Sequence, residues 1–80
     1  MNKEEILKKV NEIFADAFDR ENLVVGLETT SLDIEGWDSL MQMNLIEMIE
    51  DEFDIRFDMA DIIGIENVGS MIDLILKKIK

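Results

Sequence analysis

Cysteine and histidine are both absent from the 80 residues. Without cysteine there is no disulfide framework, no thiolate nucleophile and no zinc site built from thiolates. A serine nucleophile needs an adjacent base, and with neither histidine nor cysteine in the chain an enzyme of that kind is excluded. Positive charge is scarce as well: eight Lys and Arg stand against nineteen Asp and Glu, a formal net charge of −11. Such a balance repels the phosphate backbone of a nucleic acid and anionic lipid surfaces, so the expected partners are proteins with basic surfaces. Long apolar runs are also missing. The opening MNKEEILKKV is charged through every turn, unlike a secretory leader, and no run approaches the length of a membrane span. A cytoplasmic protein that does not insert into membranes is expected.

What is present points to a folded chain. Apolar residues make up 48% of the composition and charged ones 34%, a globular balance. Eighty residues bound a single small domain, 1–80, with a modest core and a self-repelling surface, expected to be a monomer. The negative field is concentrated in the middle: no Lys or Arg occurs between Arg20 and Arg56, where ten acidic residues lie.

Periodicity then places the elements. Ile6, Val10, Ile13, Phe14, Ala17 and Phe18 recur at helical spacing, which predicts an amphipathic helix over about 3–18. From Asp19 to Asp38 the period is lost, and Gly26, the cluster Thr29, Thr30 and Ser31, and Gly36 mark irregular backbone. Leu23, Val24, Val25, Leu27, Leu32, Ile34 and Trp37 are the expected apolar anchors of that connection. Asp38 or Ser39 offers a capping oxygen for a second helix, with Leu40, Met43, Leu45, Ile46, Ile49 and Phe53 as a wide apolar face through about Asp54. Met41, Met43 and Met48 read as adaptable core filler, with Glu47 pointing outward. Asp58 and Asp61 resemble a capping pair before Ile62 and Ile63, and Gly64 is a natural stop for a helix of one or two turns. Asn67 caps a last helix with Val68, Met71, Ile72, Ile75 and Ile79 on one face, and Lys77, Lys78 and Lys80 complement its dipole. The pattern is an all-α bundle: three long helices and one short one, with a long first connection.

Few constellations carry chemistry. A run such as Glu50, Asp51 and Glu52 reads as a solvated or docking face, since a general acid needs its pKa raised in a buried pocket. A calcium loop started at Asp33 places Gly36 two positions early, so that motif is not met. The acidic face nevertheless has a cost. Glu47 with Asp51, and Glu50 with Asp54, are like-charge pairs that each destabilise the helix by about 0.2–0.5 kcal/mol. Mixed charges would avoid it, which favours a role in partner docking or cation binding over mere solubility.

Ser39, within GWDSL, is the remaining candidate. A serine in a first helical turn most commonly caps the helix. The same position exposes its hydroxyl beside unpaired backbone N–H groups, which favour a phosphate ester.

Asp38, Ser39 and Leu40 form a DSL tripeptide. Together with the acidic second helix ending in EDEFDI and the segment NVGSMIDLI, it resembles the acyl carrier protein family over essentially the whole chain. The resemblance implies a four-helix bundle with a long loop between helices 1 and 2 and a short third helix. It also implies 4′-phosphopantetheine on Ser39, transferred from coenzyme A by a phosphopantetheinyl transferase with magnesium, Asp38 and Leu40 completing the attachment motif. The thiol of that arm would hold acyl or aminoacyl groups as thioesters between acyl-loading and acyl-processing enzymes of fatty-acid, polyketide or related biosynthesis. The chain itself would be a non-catalytic carrier. Glu50, Asp51 and Glu52 match the stretch that docks basic partners, and the partner-binding set expected is Leu40, Met43, Glu47, Glu50 and Asp51. Met41 and Asn44 stand where primary fatty-acid carriers are usually acidic, and Trp37 replaces a small residue, which suggests a specialised stand-alone member. The competing class is an unmodified acidic helical adaptor, in which Ser39 is only a cap.

Overall fold

The computed structural model describes residues 1–79, and among them four α-helices and no strand occur. They are α1 (Lys3–Ala17), α2 (Ser39–Phe53), α3 (Met59–Ile63) and α4 (Val68–Lys78). The bundle is all-α, with the long first connection and short third helix that the sequence suggests. Among the described residues no helix is long and apolar enough to cross a membrane.

Each helix begins on a side-chain cap. Asn2 accepts the Glu5 amide at 2.9 Å while Glu5 accepts the Asn2 amide at 3.1 Å, a reciprocal box that satisfies two otherwise orphaned donors. Asp58 and Asp61 repeat the arrangement at α3, and Asn67 with Ser70 does so at α4. Gly64 ends α3, and Lys77 and Lys78 lie in the last turn of α4, where cations favour the dipole. Lys80, the third cation expected there, lies outside the described residues.

The core is one cluster: Ile6, Val10, Ile13 and Phe14 from α1, Leu45, Ile46 and Ile49 from α2, and Val68, Met71, Ile72 and Ile75 from α4, completed by Val25, Ile34, Ile55 and Phe57 between helices. Burying each large aliphatic or aromatic side chain contributes roughly 1.5–3 kcal/mol. α1 packs against both α2 and α4. Ala17, Phe18 and Ile79 are only partly buried at its edge.

The expected face of α2 is too wide. Leu40 and Met43 are 81% and 47% exposed. At 3.6 residues per turn they share a side with Glu47, roughly opposite Leu45, Ile46 and Ile49. Met43 is therefore not core filler, whereas Met41 and Met48 pack against the core edge.

The connection over residues 18–38 is held by polar staples as much as by apolar anchors. Asn11 uses its amide like a fragment of strand: its Oδ1 accepts the Val25 amide at 2.6 Å and its Nδ2 donates to the Val25 carbonyl at 3.2 Å. Further along, the loop carbonyls of Thr29 and Leu27 accept the amides of Val68 and Gly69 at 2.9 and 2.8 Å. Those are first-turn donors of α4, which have no partner inside their own helix. Val25 and Ile34 are buried anchors and Leu23 and Trp37 partial ones, but Val24, Leu27 and Leu32 are exposed, Leu32 by 95%. Backbone hydrogen bonds, rather than those three side chains, fix the loop where it passes α4.

Candidate functional site

The loop reaches α2 through Gly36 and Trp37. Gly36 has φ +93°, a left-handed conformation that a side chain strains, and a Cβ there would face the Phe18 ring at 3.8 Å. Trp37 sets its ring edge-on to Phe14, with centroids 5.1 Å apart and planes at 79°, and its Nε1 donates to Gln42 Oε1 at 2.6 Å. That bond spans the start of α2 from loop to helix and immobilises the approach to Ser39.

Asp38, not Ser39, is the cap. Its backbone is extended, with φ −108° and ψ −172°, its Oδ1 accepts the Met41 amide at 2.8 Å, and its carbonyl accepts the Gln42 amide at 2.8 Å. Ser39 is the first helical residue, so capping and any chemistry of the hydroxyl fall on different residues. The Ser39 hydroxyl is exposed and makes no hydrogen bond among the described residues. The Ser39 and Leu40 amides, first in the helix, are likewise without acceptors there, and their dipoles favour an anion next to the hydroxyl.

Beside Ser39 runs an open groove of about 490 Å³, with Trp37, Gln42 and Met43 on one side and Ile62 and Ile65, from α3 and the turn after it, on the other. Ser31 from the long loop and the carboxylates of Asp38 and Glu66 complete its rim. Gln42, Ile62, Ile65 and Ser31 are the residues that sequence reading missed. Spacing relates Trp37 to Gln42 at best, and nothing in the linear order brings α3 and Ser31 to the groove.

The expected docking residues are not equivalent. Leu40, Met43 and Glu47 lie together around one shallow depression and are exposed. Asp51 is exposed in a separate depression shared with Lys9 and Glu52, facing α1. Glu50 turns inward instead. Its side chain is 13% exposed, Oε2 accepts the Phe57 amide at 2.8 Å, and Oε1 lies 3.7 Å from Arg56. Glu50 thus ties down the turn between α2 and α3, a placement that helical spacing on α2 does not reveal. Glu52 pairs with Lys9 at 3.2 Å.

α3, which supplies one side of the groove, is fastened to α4. Asp61 pairs with Lys78 at 2.9 Å. The hydrogen bond from Lys78, and then that from the Asp58 amide, hold the Asp61 carboxyl below its ordinary range, and Asp61 in turn holds the Lys78 ammonium above its own. Among the described residues no group of three acidic side chains is arranged to hold a metal ion.

Residues 8–75 match the family model described as a phosphopantetheine attachment site. An acyl carrier protein of Thermotoga maritima is 33% identical over 78 residues, covering 98% of this chain and 96% of that protein. One from Cyanidium caldarium is 37% identical over 81 residues, covering 99% and 92%. The fold is similar to the solution NMR structure of a holo acyl carrier protein from Geobacter metallireducens, with a TM-score of 0.85 and 39% identity over 90% of this chain and 83% of that one. An exposed serine at the head of a capped helix, an acidic four-helix bundle and a family match spanning most of its length lead to one assignment: this chain belongs to the acyl carrier protein family.

Proposed function

We propose that Ser39 is the attachment point of 4′-phosphopantetheine and that the chain carries acyl or aminoacyl groups between partner enzymes. The observation that carries this reading is the division of labour at the head of α2. Asp38 takes the capping role, which leaves the Ser39 hydroxyl exposed beside two amides without acceptors. These residues fit the group. The hydroxyl supplies the ester oxygen, the Ser39 and Leu40 amides favour the phosphate charge, and the mixed lining of Trp37, Gln42, Met43, Ile62 and Ile65 suits an arm of alternating amide and alkyl segments. When bound, the group supplies the thiol that a cysteine-free chain lacks. The base that takes the Ser39 proton comes from a phosphopantetheinyl transferase, since the neighbouring Asp38 carboxylate is engaged as the helix cap and the chain holds no histidine.

The cargo belongs to fatty-acid, polyketide or related biosynthesis. Met41, Asn44 and Trp37, where primary fatty-acid carriers differ, favour a specialised route. A net charge of −11 favours a monomer that meets partners through their basic surfaces. Intact mass after incubation with coenzyme A and a broad-specificity transferase tests the reading. One phosphopantetheinyl addition is expected, lost in Ser39→Ala, together with a change in emission of the sole tryptophan, Trp37, beside the site. No addition with several transferases would refute it and leave an unmodified acidic adaptor as the better account.

A further inference from the structure

Gln42 is the sole glutamine of the chain, as Trp37 is its sole tryptophan, and the two side chains are joined in the wall of the groove beside Ser39. An indole N–H can only donate, so the atom that Trp37 Nε1 meets at 2.6 Å has to be the Gln42 carbonyl oxygen. That bond sets the plane of the Gln42 amide. The indole is itself fixed, edge-on to the fully buried Phe14 ring. With Oε1 taken, the Nε2 group is turned away from the indole, and neither of its N–H donors has an acceptor among the described residues, although the side chain is half-buried. Asn11, by contrast, spends its Nδ2 on the Leu7 and Val25 carbonyls. Next to Ile65, on the other side of the groove, Glu66 uses its backbone amide on Ser70, while its carboxylate bonds to nothing among the described residues. The groove therefore holds an aimed donor on the α2 side, an uncommitted acceptor beside Ile65, and apolar surface from Trp37, Met43, Ile62 and Ile65.

We infer that Gln42 holds the phosphopantetheine arm in this groove, donating from Nε2 to the carbonyl of the arm amide nearer the phosphate, and that Trp37 is the positioning residue that aims it. The inference rests on Ser39 being the attachment site. Gln42 follows Ser39 by three residues, so the two side chains are neighbours on one side of α2, about one turn apart. A secondary amide carries its carbonyl on one edge and its N–H on the other, which suits a groove with a donor on one side and the Glu66 acceptor on the other. A plain alkyl chain would meet the apolar surface and leave both polar groups unpaired. A glutamine free to turn would lose its rotamer freedom when the arm arrives, whereas the Trp37 bond has ordered it beforehand. One hydrogen bond between neutral groups adds little in net terms, so the arm is parked rather than locked, and a partner enzyme can draw it out.

The test is the mobility of the arm itself. The chain is modified with coenzyme A carrying an isotopic nitrogen label in the arm amides, and NMR relaxation of those nitrogens is measured at about 0.5 M salt, where a charge added by substitution is screened. In the unaltered chain the nearer arm amide should tumble with the bundle for much of the time and be the more ordered of the two. Gln42→Glu keeps an acceptor for Trp37 Nε1 but removes both donors, and should lower the held-to-free ratio of the arm about fivefold. Trp37→Phe keeps a ring against Phe14 but removes the N–H that aims Gln42, and should lower the ratio about twofold to threefold. The side-chain amide signals of Gln42, assignable because it is the only glutamine, should move on modification of the unaltered chain. Gln42→Glu should not lower the melting temperature of the unmodified chain, since the bond to Trp37 survives. A lowered melting temperature with unchanged arm order would make Gln42 a structural residue alone and overturn the inference. So would a nearer arm amide as mobile in the modified, unaltered chain as in free coenzyme A. No mass gain on the unaltered chain would remove the attachment reading itself, an outcome distinct from a chain that is modified but leaves its arm free.

Discussion

Replacing Gly69 by alanine sets two effects of opposite sign against each other. Gly69 is the second residue of α4, and alanine in place of glycine ordinarily stabilises a helix by about 0.5–1 kcal/mol. Here a Cβ would sit 2.8 Å from the Leu27 carbonyl oxygen, closer than real Cβ contacts allow, and the obstacle is backbone. The loop has to retreat, which strains both the 2.8 Å bond from the Gly69 amide to Leu27 and the 2.9 Å bond from Val68 to Thr29. Two such bonds contribute about 1 kcal/mol each, so their loss outweighs the helix gain and leaves a net destabilisation of about 1–1.5 kcal/mol. For a chain of this length that lowers the melting temperature by roughly 5–10 °C. Thermal unfolding followed by circular dichroism measures it directly. Gly26→Ala is the control: no atom lies within 4 Å of its Cβ position, so it should be neutral or slightly stabilising. An unchanged or raised melting temperature for Gly69→Ala would show that the loop contact contributes nothing.

At the head of α2, Asp38→Ala should cost about 1 kcal/mol, several degrees in melting temperature, through loss of the cap on the Met41 amide, whereas Ser39→Ala should stay within about 0.5 kcal/mol of the unaltered chain. The reverse order would restore Ser39 as the cap. Asp61→Asn keeps the capping oxygen of α3 but removes the charge facing Lys78, so it should melt below the unaltered chain near neutral pH. Because the Asp61 carboxyl is held below its ordinary 3.8, its contribution is present above that value and is lost as the pH falls through the lower folded one. Because the Lys78 ammonium is held above its ordinary 10.5, its contribution is present below that value and is lost as the pH rises through the higher folded one. The gap between the two melting curves should therefore close at both extremes, and a gap constant across pH would contradict the pairing.

Much of the bundle can be read from the residues because helix interiors and helix ends obey local rules. The buried positions of α1 and α4 follow the helical period, and Asp58 with Asp61, Gly64 and Asn67 announce their own boundaries. Resolution is lost where a side chain acts across the fold. Asn11 looks like a polar residue on an outer face, yet it pairs with Val25 fourteen residues later. Glu50 looks like a docking carboxylate until the turn after α2 brings the Phe57 amide to it. In the connection over 18–38 no period separates inward from outward, so Val24 and Leu32 could not be told from Val25 and Ile34 by type alone. The loss of period over 19–38 marks the connection as long, but only the family resemblance explains why so small a domain carries one. At the site, GWDSL indicates where α2 begins, but whether Asp38 or Ser39 takes the cap depends on backbone geometry that composition does not carry.

The long loop is stapled unevenly, and the free energy of local opening should vary along it accordingly. Val25, Leu27 and Thr29 are held from outside the loop, by Asn11 and by α4, the Glu35 carbonyl is tied back to Arg20 near the loop's start, and Ile34 is buried. Between them, Thr30 and Asp33 bond only to each other and to the Leu32 amide, and the Leu32 side chain stands almost wholly in solvent. That short arc can exchange its amides with water without opening the bundle. Ser31, on the rim of the groove beside Ser39, belongs to it. The groove thus pairs a side anchored to the core, where Trp37 packs on Phe14, with a rim that yields first.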